Sequence, residues 1–243
     1  MKILGVIPAR YNSSRFPGKP LADILGKPMI WWVYERAKKA KNLDELVVAT
    51  DDERIVKVCD SFEIPSVMTK EHESAISRVH ELSLQKEADL YIQINGDEPL
   101  INHKSIELIS SIKIDTKKEL ALNLISKIKN PVEVLDNSNI KVVFDKFKNI
   151  LYMSRFALPC PYKTLNFSYY KHVGILGFTK SMLEFFAHSK PLFYEKIEGL
   201  ETLRFIEYKK SFICRIDPLY KGLSVDTLKD LQVVCELLSK AKK

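Results

Sequence analysis

The chain has no CxxC pair, no long apolar run, no Gly- or Ser-rich linker and no internal repeat. Each absence excludes something. Cys59, Cys160, Cys214 and Cys235 lack the spacing of a metal knuckle or a dithiol, and three of them sit in apolar strand or helix patterns. They are expected to be reduced thiols of a cytoplasmic protein. No apolar stretch approaches the roughly 20 residues of a membrane span. The start of the chain carries one Lys, then a strand pattern, and no small-residue cleavage site, so no signal peptide is expected. The net charge of +7 is moderate. The aromatics are not interleaved with a basic stripe, and much of the excess lies along helix faces and at Lys240, Lys242 and Lys243. A small anionic substrate is therefore expected, and neither nucleic acid nor a membrane.

What is present is the make-up of a globular enzyme: 46% hydrophobic and 28% charged residues over 243 positions, a length that suits one domain, 1–243. Ile3 to Ile7 reads as a buried strand that feeds the loop Pro8-Ala9-Arg10-Tyr11-Asn12-Ser13-Ser14-Arg15-Phe16-Pro17-Gly18-Lys19-Pro20. Two guanidinium forks, an ammonium and two hydroxyls at a strand end suit a polyphosphate, because each makes charge-assisted bonds to phosphate oxygens. Further apolar strands at Leu46–Thr50, Ile64–Met68 and Tyr91–Ile94 alternate with helical patterns at 29–40, from Asp51, and up to about 87. That alternation predicts βαβ crossovers and an α/β fold with a mostly parallel sheet between helices. Asp51, Asp52 and Glu53 are expected to serve the start of a helix, and Trp31 and Trp32 to pack.

The second half reads less regularly. Leu120 to Ile125 is a strand pattern, and 139–144 with 150–154 form a hairpin around Asp145 to Asn149. Residues 155–170 are irregular, and Lys171 to Phe178 is a strand. A helix starts near Thr179, another runs from about 194 to 207, Phe212 to Ile216 is a strand, and 227–241 is the final helix. Two carboxylates stand out. Asp97, in Gly96-Asp97-Glu98-Pro99, follows a buried strand, where open α/β sheets place their ligands, and one or two exposed carboxylates are expected there. Magnesium suits such a site because it takes oxygen ligands and substrate phosphates with few protein carboxylates. Asp226, in Val225-Asp226-Thr227, reads equally as a second ligand or as a helix N-cap.

Taken together, Arg10, Ser14, Arg15, Pro17-Gly18-Lys19-Pro20, Gly26-Lys27-Pro28-Met29, Ala49-Thr50-Asp51, Gly96-Asp97-Glu98-Pro99 and Val225-Asp226-Thr227 resemble the sugar-acid cytidylyltransferases, in particular those acting on 3-deoxy-manno-octulosonate. The likeness extends over Lys141-Val142-Val143, Ser154-Arg155, His172-Val173-Gly174-Ile175 and Glu195 to Arg204, nearly the whole chain. It implies a nucleotide-diphospho-sugar transferase-like fold, Rossmann-like, with 150–170 as a dimerisation arm of a homodimer. It also implies CMP transfer from CTP to the anomeric hydroxyl of an acidic sugar, with pyrophosphate released, in cell-surface polysaccharide synthesis. Arg10, Arg15 and Lys19 would hold the triphosphate, with Arg10 or Lys19 neutralising the leaving pyrophosphate, and Asp97 and Asp226 would hold Mg2+. Pro8, Ala9, Ser14, Ser74, Arg78 and Asn95 would complete the nucleotide side. Asn95, Arg155, His172, Leu176, Glu201 and Thr202 would form the sugar side, with Glu198 nearby.

The sugar side departs from the family pattern. Ala75-Ile76-Ser77 stands where the family shows Gly-Thr-acid, Asn95 where it has Gln, Leu176 where an aromatic is expected, and Thr202 in place of Gln. Lost hydroxyl and amide partners change which sugar a polar pocket accepts, so a re-cut sugar pocket is expected. The alternatives are a transferase of the same fold for another sugar or nucleotide, and a non-catalytic sugar-nucleotide-binding paralogue.

Overall fold

A computed structural model describes residues 1–12, 16–112 and 115–240. The first strand, β1 (Ile3–Ala9), is followed by a 3-10 turn at Lys19–Leu21 and the two-residue strands β2 (Asp23–Ile24) and β3 (Lys27–Pro28). Helix α1 (Met29–Ala37), β4 (Glu45–Thr50), α2 (Glu53–Ser61), β5 (Ser66–Met68), α3 (Ala75–Gln85), β6 (Leu90–Ile94) and α4 (His103–Ser110) then alternate. The second half holds β7 (Leu120–Lys127), α5 (Val132–Leu135), β8 (Lys141–Phe144), β9 (Ile150–Ser154), β10 (Tyr170–Phe178) and α6 (Lys180–His188). It ends with α7 (Phe193–Glu198), α8 (Leu203–Glu207), β11 (Ser211–Ile216) and α9 (Leu228–Lys240).

The main sheet runs β11-β7-β10-β6-β1-β4-β5. Every pairing along it is parallel except those of β10, which is antiparallel to both β6 and β7. The expected α/β sheet is present, with one reversed strand at its centre. The β8–β9 hairpin hangs on the start of β10 through the Lys171–Lys141 pairing. It is anchored by the buried Lys141 ammonium, which donates to the carbonyls of Asp136 and Arg155.

Apolar side chains alternate to both faces of the strands, so two cores form. One lies under α1, α2 and α4, using Ile30, Val33, Ile55, Cys59, Ile106 and Ile109. The other lies under α3, α6 and α8, using Val79, Leu82, Leu183, Phe186, Leu203 and Phe205. A third, smaller cluster seats α9 on the β2–β3 ribbon through Ile24, Met29, Val225, Val234 and Leu238.

Some boundaries differ from expectation. The third strand starts at Ser66, because Pro65 has no N–H to donate and only its carbonyl pairs, with Val48 N–H. The helix expected over 194–207 is two helices, since the chain turns left-handed at Gly199 (φ 62°) and α7 stops there. Asp52 caps α2 by accepting from the Arg54 N–H, as the acidic first turn suggested. Residues 155–169 contain no helix or strand, in line with the irregular stretch expected there.

Candidate active site

The carboxyl ends of β1 and β6 open onto a cleft of about 290 Å³, bounded on one side by the first turn of α3. Pro8, Ala9 and Arg10 leave β1 along its floor, and Asn95, Gly96 and Asp97 leave β6 beside them. This is the sheet edge at which open α/β folds bind ligands. Helix α9 and its lead-in bring Asp226 to the same place, and the 3-10 turn brings Lys19.

At the centre, the Lys19 ammonium lies 2.6 Å from Asp97 Oδ2 and 3.4 Å from Asp226 Oδ1. Residues 78 and 207 positions away in the chain thus converge on one cation. The backbone reinforces this, since the Val225 N–H donates to the Asp97 carbonyl at 2.8 Å. Asp226 turns its carboxylate to Lys19. The start of α9 is served instead by Thr227 and Asp230, the Asp230 carboxylate accepting from Thr227 N–H and the Thr227 hydroxyl accepting from Asp230 N–H.

The expectation of one or two exposed carboxylates at the β6 tip resolves into one. Asp97 faces the cleft, whereas Glu98 is buried, 2% exposed. Glu98 accepts from the Gly174 N–H at 2.9 Å, from the Ser224 hydroxyl at 3.4 Å and from the Tyr220 hydroxyl. Burial, more than these bonds can offset, pushes its carboxyl up to about 7.

Helix α3 begins at the cleft wall. Ser74 caps it, accepting from the Ser77 N–H at 3.0 Å. Glu201 reaches the same first turn from the segment between α7 and α8, its carboxylate facing the Ser74 hydroxyl and the Ile76 N–H. An anion is favoured at a helix start, yet burial still raises the Glu201 carboxyl. The Ile76 contact is made by backbone, so the Ala75-Ile76-Ser77 departure leaves it intact. Arg78 lines the cleft, but its guanidinium is held by Asp51 at 2.9 Å, the Thr69 hydroxyl and the Lys70 carbonyl. Asn95 accepts from Gln93 Nε2 at 3.0 Å.

Of the expected nucleotide residues, Pro8, Ala9, Arg10, Lys19, Ser74, Arg78 and Asn95 come together in this cleft. Ser14 and Arg15 lie outside the described residues. The sugar residues divide. Asn95 and Glu201 line the cleft, whereas Leu176 is packed in the core under α3 and α6. The Thr202 hydroxyl is turned to Met153 Sδ at 3.3 Å. Arg155 is exposed and pairs with Glu198, its N–H donating to Glu198 Oε2 and its Nε to the Glu198 carbonyl, both at 3.0 Å.

His172 sits at a bulge in β10, where the register against β7 slips between His172 and Leu176. Asn123, fully buried, fills that bulge. Its Nδ2 donates to the Val173 and Ile175 carbonyls at 3.2 and 3.3 Å, and its Oδ1 faces His172 Nδ1 at 3.0 Å. Burial drives the His172 ring down to about 4, so it is neutral at neutral pH. Asn123, Tyr220 and Ser224 have no motif of their own in the sequence. A buried Asn inside an apolar strand was the one signal available for the first, because such a group must find partners.

The lining also carries Glu73 and Glu201, so acids outnumber the free basic groups among the described residues once Arg78 is spoken for. Two carboxylates that already share one ammonium are a donor set suited to magnesium.

A family model described as cytidylyltransferase matches residues 4–212. A 3-deoxy-manno-octulosonate cytidylyltransferase from Fusobacterium nucleatum is 42% identical over 239 residues, covering 96% of each chain. An 8-amino-3,8-dideoxy-manno-octulosonate cytidylyltransferase from Shewanella frigidimarina is 41% identical over 243 residues, covering 98% of each. Among solved structures, a CMP:2-keto-3-deoxy-manno-octonic acid synthetase complexed with CTP superposes with a TM-score of 0.92 at 36% identity, over 99% of this chain and 100% of that one.

Proposed function

We infer the reaction from one premise: the chain belongs to the cytidylyltransferase family. Its reaction is the transfer of CMP from CTP to the anomeric hydroxyl of an eight-carbon 3-deoxy sugar acid, the 8-hydroxy or the 8-amino octulosonate. The observation that carries this reading is the Lys19–Asp97–Asp226 cluster at the cleft floor, within a chain similar along its length to enzymes named for both sugars.

In the proposed step the sugar hydroxyl attacks the α-phosphorus. A new P–O bond forms, the bond to the β-phosphate oxygen breaks, pyrophosphate departs, and the hydroxyl proton is lost to solvent. Such transfers depend on positioning and charge neutralisation more than on covalent chemistry. Arg10 and Lys19 bind and orient the phosphates. Asp97 and Asp226 would hold Mg2+, which supplies charge that polarises the phosphate and eases loss of the hydroxyl proton. Ser74 and the backbone of Pro8-Ala9 shape the nucleotide side, and Asn95 and Glu201 accept bonds from sugar hydroxyls.

We further propose that the protein works as a homodimer. Leu151, Phe156, Tyr162, Leu165, Phe193 and Ile197 are all more than half exposed on β9, the segment after it and α7. Large apolar side chains exposed in this number, within and beside the expected dimerisation arm, favour an interaction surface there. The free thiols fit a cytoplasmic setting, and the product would feed cell-surface polysaccharide synthesis.

The reading is tested by incubating the protein with CTP, Mg2+ and either octulosonate and measuring pyrophosphate. Release is expected with at least one sugar, and Asp97→Asn or Asp226→Asn should cut it by about a hundredfold. Equal release from UTP would favour the other-nucleotide alternative, and CTP binding without turnover on any sugar acid would favour the non-catalytic one.

A further inference from the structure

The buried carboxylate of Glu98 has no part in the proposed binding or chemistry, yet it ties together three stretches of chain: the β6 tip, the β10 bulge and the lead-in to Asp226. It leaves the β6 tip one residue after Asp97. Its Oε1 accepts from the Gly174 N–H, inside the β10 bulge that carries His172, and from the Ser224 hydroxyl. Its Oε2 accepts from the Tyr220 hydroxyl. Ser224 stands two residues before Asp226, and the Val225 N–H between them closes on the Asp97 carbonyl.

Two glycines are shaped to this contact. A Cβ on Gly174 would come within 2.7 Å of Asn95 Nδ2 and would also overlap the Glu98 carboxylate. A Cβ on Gly222 would overlap the Tyr220 ring. The segment between β11 and Asp226 is therefore wrapped tightly over Tyr220. It is fixed at its start as well, where Asp217 N–H donates to the Ile125 carbonyl and the Ser105 hydroxyl to Asp217 Oδ2.

We propose that Glu98 and Tyr220 are positioning residues: a latch that sets the separation of the Asp97 and Asp226 carboxylates and so tunes how tightly they hold a divalent cation with the nucleotide. The inference rests on the reading that these two carboxylates are metal ligands. Partners of ligating carboxylates orient them, and changing such a partner typically weakens metal binding by tenfold or more. Tyr220→Phe removes one hydroxyl and leaves the ring packed against the core under α1, α2 and α4. Gly222→Ala keeps the hydroxyl on its ring but pushes both out of position, since the added Cβ would meet the Tyr220 hydroxyl oxygen first.

The test is binding of Mn2+, read by electron paramagnetic resonance with CTP present and sugar absent, alongside the thermal midpoint. Wild-type protein should bind Mn2+ in a CTP-dependent manner. Tyr220→Phe should weaken that binding about tenfold, and Gly222→Ala should weaken it too, with CTP affinity in the absence of metal unchanged. In turnover assays Tyr220→Phe should raise the Mg2+ concentration needed for half-maximal rate and recover most of kcat at saturation. Tyr220→Phe protein with a lowered midpoint and wild-type Mn2+ affinity would overturn the latch, because the hydroxyl would then only support packing. Wild-type protein that binds no Mn2+ with CTP would instead overturn the metal-ligand reading beneath it.

Discussion

Lys19 holds a single positive charge between two carboxylates, and three charges so close cannot all keep these partners when a nucleotide arrives. In the proposed complex its ammonium would turn to the phosphate oxygens of CTP, and the Asp97–Asp226 pair would then take up another cation. On the proposed reading, the same ammonium would compete with metal in the nucleotide-free protein. Lys19→Gln should therefore raise the affinity of the nucleotide-free protein for Mn2+ by about tenfold or more, given the strength of a charge pair at this range. Unchanged Mn2+ affinity in that variant would contradict the competition. His172 gives a second residue-scale prediction. Its ring sits at about 4 in the folded protein against an ordinary 6.5. The unfolded chain then takes up a proton that the folded one refuses, so this contribution to stability is complete above about pH 6.5 and is lost as pH falls toward 4. Denaturation midpoints followed over that window should fall less steeply for His172→Gln than for the wild type.

At the scale of elements, the reversed strand β10 organises the centre of the molecule, and its bulge is the least replaceable piece of local structure. Asn123 donates to two bulge carbonyls and faces His172 Nδ1 with its Oδ1. Asn123→Leu should cost about 2 kcal/mol or more in denaturant unfolding, because buried carbonyls are left without a donor. A loss under 0.5 kcal/mol would show that the bulge re-pairs by other means. The first hundred residues were legible because each strand is an apolar run and each helix announces itself by a cap or a period, as at Asp52 and Ser74. The direction of β10 was not legible, since a strand buried on both faces reads the same whichever way it runs. Nor was the break at Gly199, which lies inside a charged stretch with an otherwise helical pattern. The cleft was readable in halves. Arg10, Lys19, Asp97 and Asp226 carry their chemistry in their residue types. Glu98 looked like a second surface acid, and only the fold reveals the three donors that surround it.

For the whole molecule, the exposed apolar side chains of 151–165 and α7 predict a second copy of the chain on that face. Sedimentation should give a dimer, and Phe156→Glu with Ile197→Glu should give a monomer of unchanged helix content. A monomeric wild type at micromolar concentration would contradict this. No described helix is long and apolar enough to cross a membrane, and the cleft opens at the sheet edge, where a nucleotide and a small acid can meet. The sugar half is where the fold leaves most freedom, since Asn95 and Glu201 line the cleft while Leu176 and Thr202 turn into the core. The central claim concerns which bond is made. Phosphorus-31 NMR of the protein with CTP, Mg2+ and 3-deoxy-manno-octulosonate, repeated with the 8-amino sugar, follows that bond directly. With at least one sugar the CTP signals should decay in step with the appearance of pyrophosphate and one phosphodiester resonance, that of a CMP-sugar. CTP left intact with both sugars, or inorganic phosphate appearing in place of pyrophosphate, would contradict the account.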